Sequence, residues 1–330
     1  MTHAQIQIKG RSRASVRPQS ADLIFGFFSL FCLLLLLRNA DAALTFMTDG
    51  LTLCAKTVIP SLFPFAVLSE LIASGDRLRR LLCRAASPLG RLLGLGESGL
   101  CALLLGILCG FPIGIRCAIR AYRNGELSKS EAERVIAFSG TPSSAFLIST
   151  VGVSLFGDQR FGITLYLLVL LSALVTGILL HLWDKGRDDE DCGVPWCPQS
   201  ISRPSMARRL TDAVSAATQS MLLICAYVVF FSTLVGTLGL ILTPLGLPET
   251  VSAILSSVFE LSGGVKRAAS LSSARLARLI CAFAAGWSGL SVHCQALSFC
   301  ADTDLSLRRY LPSKLLQGIL TAALTALLIG

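Results

Sequence analysis

Long apolar runs alternate with short basic loops along the chain, and this spacing predicts an all-α, polytopic helical membrane protein. Uninterrupted apolar runs cover residues 21–37, 161–183 and 217–242, close to the roughly 20 residues that cross a bilayer as a helix. Other runs are broken part-way. Residues 52–73 contain Pro60 and Pro64, which force a kink or a break. Residues 98–115 contain Gly110-Phe111-Pro112-Ile113-Gly114, and residues 135–156 contain Ser139-Gly140-Thr141-Pro142-Ser143-Ser144. In the second half, residues 251–259 meet Glu260-Leu261-Ser262-Gly263-Gly264, and the run that follows is cut at Gly286-Trp287-Ser288-Gly289.

These interruptions recur in the same order, so the chain reads as two repeats. Thr243-Pro244-Leu245-Gly246 echoes Ser87-Pro88-Leu89-Gly90, and Ile280-Cys281-Ala282-Phe283 echoes Val135-Ile136-Ala137-Phe138. Residues 315–330 match the closing span 161–183. The resulting division is a basic N-terminal segment (1–20), an N-terminal anchor (21–43), repeat 1 (44–183), a polar linker (184–209) and repeat 2 (210–330). Each repeat reads as a span, a re-entrant element, a broken span and an intact span. A re-entrant turn at Gly110–Gly114 keeps the two neighbouring basic segments, 75–97 and 116–134, on one face. Three crossings per repeat place the halves in opposite orientations, the logic of inverted-repeat transporters, and give seven spans with two hairpins. Lys266, Arg267, Arg275 and Arg278 would then lie outside, against the positive-inside tendency; a full crossing by residues 251–265 would instead abolish the inversion.

Composition strengthens the membrane reading: of 330 residues 53% are apolar and only 15% charged, against about 25% charged in soluble domains. The net charge of +9 sits in short loops, which points to cytoplasmic orientation and away from nucleic acid. Five arginines between residues 75 and 97, interleaved with leucines, read as an interfacial amphipathic segment. Residues 21–37, followed by Ala40-Asp41-Ala42, fit a cleaved signal peptide; seventeen apolar residues fit a retained anchor better, with the N-terminus in the cytoplasm. Most of the twelve cysteines lie in apolar runs, as small hydrophobes do. Cys192 and Cys197 have only His181 as a further ligand type, too few for a structural zinc site, so neither metal nor cofactor is expected.

Unwound backbone at membrane depth persists where it is buried in protein or lines a polar cavity, and paired interruptions point to a transporter's binding site. The expected contacts are Gly110, Pro112 and Gly114; Ser139, Thr141, Pro142, Ser143 and Ser144; Ser262, Gly263 and Gly264; and Ser288, Gly289, Ser291, His293 and Gln295. Such a site suits a small polar solute. Packing is the competing reading for each break, since Gly106, Gly110 and Gly114 also form small-xxx-small repeats. Glu70 and Glu260 are carboxylates near span ends, expected either to reach interfacial water or to bind a coupling cation or proton, with Lys266 as a partner for Glu260. His293 reads as a hydrogen-bonded structural residue or a proton relay. Gly286-Trp287-Ser288-Gly289 also has the G-x-S-G form of intramembrane serine proteases, with His181 as the one plausible base in another span.

Four stretches together resemble a known group: Ile59-Pro60-Ser61-Leu62-Phe63-Pro64-Phe65, Gly110-Phe111-Pro112-Ile113-Gly114, Gly125-Glu126-Leu127-Ser128-Lys129-Ser130-Glu131-Ala132-Glu133-Arg134, and Gly289-Leu290-Ser291-Val292-His293-Cys294-Gln295. Over residues 45–325 the chain resembles the YlbJ-type sporulation integral membrane proteins, relatives of the spore maturation proteins with a nucleoside-recognition (Gate) domain. The family's Asn-rich stretch before Gly-Pro is replaced here by Ser139–Ser144. The resemblance implies a bacterial inner-membrane protein used in sporulation. The resulting expectation is a non-enzymatic transporter of a small polar solute, nucleoside-like or other. The alternatives are a membrane assembly factor, docking other sporulation membrane proteins or a second copy of itself on the arginine-rich face, and the serine protease.

Overall fold

The computed structural model describes residues 19–184, 205–242 and 246–329, and every regular element among them is helical. The basic N-terminus up to residue 18, Cys192 and Cys197 with the rest of the linker to residue 204, and Thr243-Pro244-Leu245 lie outside the described residues.

Helix α1 (Gln19–Arg38) is apolar on all sides, with Leu23, Ile24, Phe25, Phe27 and Leu33 exposed, as a lipid-facing helix requires. It meets α2 (Ala40–Leu53) at a bend of 100° at Asn39. Helix α2 continues through a π-helical turn (Cys54–Val58) into α3 (Ile59–Ala73). The run at 52–73 is thus the distal part of a longer rod. Pro60 lacks the N–H that an α-helix would use there, and the π-turn absorbs the mismatch. The arginine-rich segment forms two short helices, α4 (Asp76–Ala85) and α5 (Ser87–Leu93).

Next come α6 (Glu97–Cys109), α7 (Ile113–Arg123), α8 (Lys129–Ser139), a π-helical segment (Phe146–Leu155) and α9 (Gln159–Asp184). After the long α10 (Met206–Leu242), the second half has α11 (Glu249–Phe259), α12 (Leu261–Ala269), α13 (Ala274–Trp287), α14 (Leu290–Cys300) and α15 (Tyr310–Ile329). Helices α6 and α7 pack on each other as a hairpin, and so do α11 and α12. The pair α8 and Phe146–Leu155 and the pair α13 and α14 are broken helices. Contacts between halves are reciprocal: α14 packs on α7 as Phe146–Leu155 packs on α12, and α8 packs on α15 as α13 packs on α9.

Ion pairs fix the directions. Asp184, the last residue of α9, holds Arg309 just before α15, while Thr321 Oγ1 donates to Ser172 Oγ at 3.0 Å. The two pairs lie twelve residues apart on each helix in opposite senses, so α9 and α15 are antiparallel. Arg134, midway along α8 and so in the opening turns of the first broken helix, also pairs with Asp184, at 3.5 Å, whereas Arg278 in the second turn of α13 pairs with Asp158 at 3.2 Å, just before α9. Helices α8 and α13 therefore start from opposite ends of α9, a 26-residue helix about 39 Å long.

The outward surface is apolar (Leu167, Leu171 and Leu179 on α9; Leu222 and Phe230 on α10; Leu315 and Ile319 on α15), while Ser172, Thr176, Lys314, Gln317, Thr321 and Thr325 are buried. Polar residues facing the bundle interior are what lipid solvation demands. Among the described residues four helices are long and apolar enough to cross a membrane, or up to six if each bent pair is one span. The seven-span expectation differs at three runs: residues 21–37 and 52–73 belong to helices bent by 100° at Asn39, and the broken element of the first half is two short pieces, of 11 and 10 residues. Residues 251–265 do not cross: they form the α11–α12 hairpin, reversed at Glu260.

Candidate functional site: a cavity where four helix breaks meet

Within each half, the hairpin tip crosses the broken helix. In the first, the Phe111 N–H donates to the Thr141 carbonyl at 2.7 Å. Gly110 has φ 78°, and a Cβ there would stand 2.5 Å from the Ser143 nitrogen. Only glycine supplies both that dihedral and that approach. In the second, Gly289 has φ 85° and a Cβ would lie 3.0 Å from the Leu261 nitrogen. Ser288 beside it also has positive φ, 75°, a costly conformation for a residue with a side chain. The Trp287 indole N–H donates to the Val258 carbonyl at 3.0 Å, and in the first half the Tyr166 hydroxyl donates to the Ile107 carbonyl at 2.8 Å. Each hairpin's first arm is thereby anchored at its C-terminal end.

Both crossings meet one cavity of about 80 Å³. It is lined by Phe111, Pro142 and Ser143 from the first half, by Glu260, Leu261, Ser262, Ser288, Ser291 and Gln295 from the second, and by Val58, Leu62, Ile224 and Val228 of the α2–α3 rod and α10. That is space for two or three waters at about 30 Å³ each, well below the roughly 300 Å³ of pockets for drug-sized ligands.

Charge is placed at the broken ends in accord with the helix dipole. Glu260 is 4% exposed; its two carboxylate oxygens accept from the N–H groups of Ser262 at 2.9 Å and Gly263 at 2.5 Å, capping α12. Lys314 of α15, fully buried, donates to the Gly140 carbonyl at the end of α8 and to Gln317 Oε1 at 3.0 Å. An anion at a helix N-terminus and a cation at a C-terminus are each favourable. Several buried polar atoms here have no hydrogen-bond partner: the hydroxyls of Ser139, Thr141 and Ser288, Oε1 of Gln295 and Nε2 of His293.

The remaining singled-out residues divide between the crossings and their supports. Pro112 opens α7, Gly114 lies against Gly106, and Gly264 lies against Ser257. Ser144 is half-buried outside the cavity lining and Gly263 is exposed. His293 shares a hydrogen bond with the Tyr310 hydroxyl at 3.1 Å, edge-on to Trp287. Glu70 is ion-paired with Arg120 at 2.5 Å and Arg116 at 3.6 Å, away from the cavity lining. Lys266 does not pair with Glu260: it is exposed in the last turn of α12, about 9 Å along the axis from the cap at 1.5 Å per residue, where a cation suits the helix C-terminus. His181 lies against Gly94, and no base reaches Ser288 Oγ among the described residues.

Sequence reasoning missed Lys314, Gln317 and the buried Arg134–Asp184 pair with the exposed Arg309 that joins it. A signal exists for the first two: Lys314, Gln317, Thr321 and Thr325 recur at helical spacing in an apolar run, a buried polar stripe.

The chain is 26% identical over 340 aligned positions to sporulation integral membrane protein YlbJ of Bacillus subtilis (strain 168), covering 93% of this chain and 82% of that protein. No family model matches the chain, and no solved structure does.

Proposed function

Taking the chain as a YlbJ-type integral membrane protein, we propose that it moves a small polar solute across the bacterial cell membrane during sporulation, in a non-enzymatic role. The observation carrying this reading is that the interruptions in both halves line one cavity. Half-helix ends bring free amides and carbonyls to such a place, the arrangement by which transporters hold solutes near mid-membrane. The opposite starts of α8 and α13 along α9 support two inverted repeats. Arg84, Arg91, Arg123, Lys129, Arg134, Arg308 and Arg309 gather toward the Asp184 end, against Arg160, Lys266, Arg267, Arg275 and Arg278 toward the Asp158 end. The excess supports a cytoplasmic Asp184 end, and a cytoplasmic N-terminus follows if α1 crosses. A solute of a few heavy atoms fits the cavity as it stands; a nucleoside requires the crossings to part.

The test is flux in proteoliposomes against a panel of polar solutes, nucleosides included, with and without a proton gradient. Replacing Ser143 or Ser288 by Trp should abolish flux while leaving the protein inserted; unchanged flux in both variants, or dry, unreactive cysteines at these positions, rejects the reading. A second reading, a membrane assembly factor, is favoured by one observation: on α4 and α5 exposed Arg84 and Arg91 accompany exposed Leu81 and Leu92. Charge reversal of those arginines would then abolish function while the breaks tolerate change.

A further inference from the structure

The inside of the cavity has an unbalanced inventory. Glu260 is a buried carboxylate with no cation within ion-pair distance among the described residues, and its two N–H partners leave other lone pairs free. An ionised carboxylate offers about four acceptor sites. Two further lining residues carry unpartnered oxygens, Ser288 Oγ and Gln295 Oε1, each in a side chain 1% exposed. The Ser288 hydroxyl is the one donor among these oxygens, too few for the acceptor sites of the carboxylate and the amide.

We infer that this cavity binds one monovalent alkali cation, sodium, between the Glu260 carboxylate, Ser288 Oγ and Gln295 Oε1. The inference rests on the site proposed above and names the ion that accompanies transport through it. Three physical arguments select the ligand. Water would satisfy the two orphan oxygens but leave the buried carboxylate charge unbalanced, which is costly in a low-dielectric interior. A proton on Glu260 would remove the charge and add one donor, whereas a cation is bound by all three oxygens at once. A single cation meets both needs. Its charge and hardness follow from the donors. The lining side chains offer oxygen only, from hydroxyl, amide and one carboxylate, and no cluster of three His, Cys, Asp or Glu exists among the described residues. Divalent ions of this hardness take several carboxylates in protein cages; one negative charge balances one positive charge. About 80 Å³ accommodates a small ion with a water or two at about 30 Å³ per water. Lys314 is not available as an internal counter-ion, since its ammonium is engaged by Gly140 and Gln317.

The full chain, purified and reconstituted in nanodiscs, tests this. Thermal unfolding is followed in NaCl, KCl and choline chloride at constant ionic strength, together with equilibrium binding of radioactive sodium. Saturable stabilisation by NaCl over choline is expected, as for any ligand that binds only the folded state. Glu260→Gln should abolish it, and Ser288→Ala and Gln295→Leu should each raise the half-saturating sodium concentration about tenfold or more, a loss on the scale of one good contact. Because Glu260→Gln also weakens the α12 cap, Ser288→Ala carries the test if that variant does not fold. Identical curves in NaCl and choline, or stabilisation by acid without any sodium dependence, overturn the inference. Flux that persists in choline removes the cation and leaves the transport reading standing. Sodium binding without flux of any solute does the reverse.

Discussion

Replacing Gly110 by Ala tests the crossing on which the site depends, with Gly125 as an internal control. The two glycines share a positive φ, 78° and 72°, but not their surroundings. A Cβ on Gly125 meets nothing within 4 Å, whereas on Gly110 it would stand 2.5 to 2.7 Å from the nitrogen, Cα and Cβ of Ser143. The positive φ costs Gly125→Ala about 1–2 kcal/mol, and Gly110→Ala, whose ψ of −174° lies in a region open essentially to glycine alone, about 1–3 kcal/mol. For Gly110→Ala the hairpin tip must also retreat by about 0.9 Å to reach ordinary contact at 3.4 Å. That movement lengthens the 2.7 Å hydrogen bond from Phe111 to Thr141, and a buried backbone pair left unmade costs about 1–3 kcal/mol. The expected losses are therefore about 2–6 kcal/mol for Gly110→Ala and about 1–2 kcal/mol for Gly125→Ala, with Gly289→Ala, whose Cβ would meet Leu261 at 3.0 Å, between them. Reversible unfolding in mixed micelles, read by the fluorescence of Trp287 buried at the second crossing, gives the order. If Gly110→Ala loses no more stability than Gly125→Ala, the close approach is not structural and the reasoning fails.

Asp184→Asn leaves Arg134 and Arg309 without their shared anion; with Arg134 6% exposed, the loss should approach the roughly 3–5 kcal/mol of a broken buried pair. Asp158→Asn, at a pair about one-third exposed, should change unfolding in the same assay by less than about 1 kcal/mol. Asp304 in the loop after α14 accepts from the Tyr122 hydroxyl at 2.6 Å and from Lys129 at 2.9 Å, which hold its carboxyl below the ordinary aspartate value of about 3.8. A depressed carboxylate contributes stability above its unfolded pKa and loses it as pH falls through the folded one. Hydrogen exchange in residues 301–307 should therefore accelerate below about pH 3.8, and Asp304→Asn should remove that pH dependence; the effect is small, because the side chain is 67% exposed. Thr321→Val removes the hydrogen bond to Ser172 and should cost about 0.6 kcal/mol in the micelle assay, the scale of polar contacts between membrane helices.

The breaks were legible because glycine and proline act locally: Gly110, Pro112, Pro142 and Gly289 declare their interruptions whatever surrounds them. The partners of charges were not, because pairing is a property of the assembled bundle. Glu70 and Glu260 look alike in the sequence, each a carboxylate near an apolar boundary. In the fold one meets two arginines and the other meets backbone amides, the Ser262 side chain and a cavity. Lys314 sits one residue before the run taken as the closing span, where it reads as an interfacial lysine; only packing against α8 shows it to be fully buried at a helix end. Under the proposed inversion, the basic residues at 266–278 lie on the face opposite the larger share of Lys and Arg. Orientation follows the difference in Lys and Arg between the two faces, and a few at the Asp158 end are tolerated when the Asp184 end carries more. The pairings Arg134–Asp184 and Arg278–Asp158 then do what no local motif can: they place the starts of two similar helices at opposite ends of α9. That leaves the breaks of both halves free to meet at the same depth, because each chain segment reaches the middle after about the same number of residues from its own side.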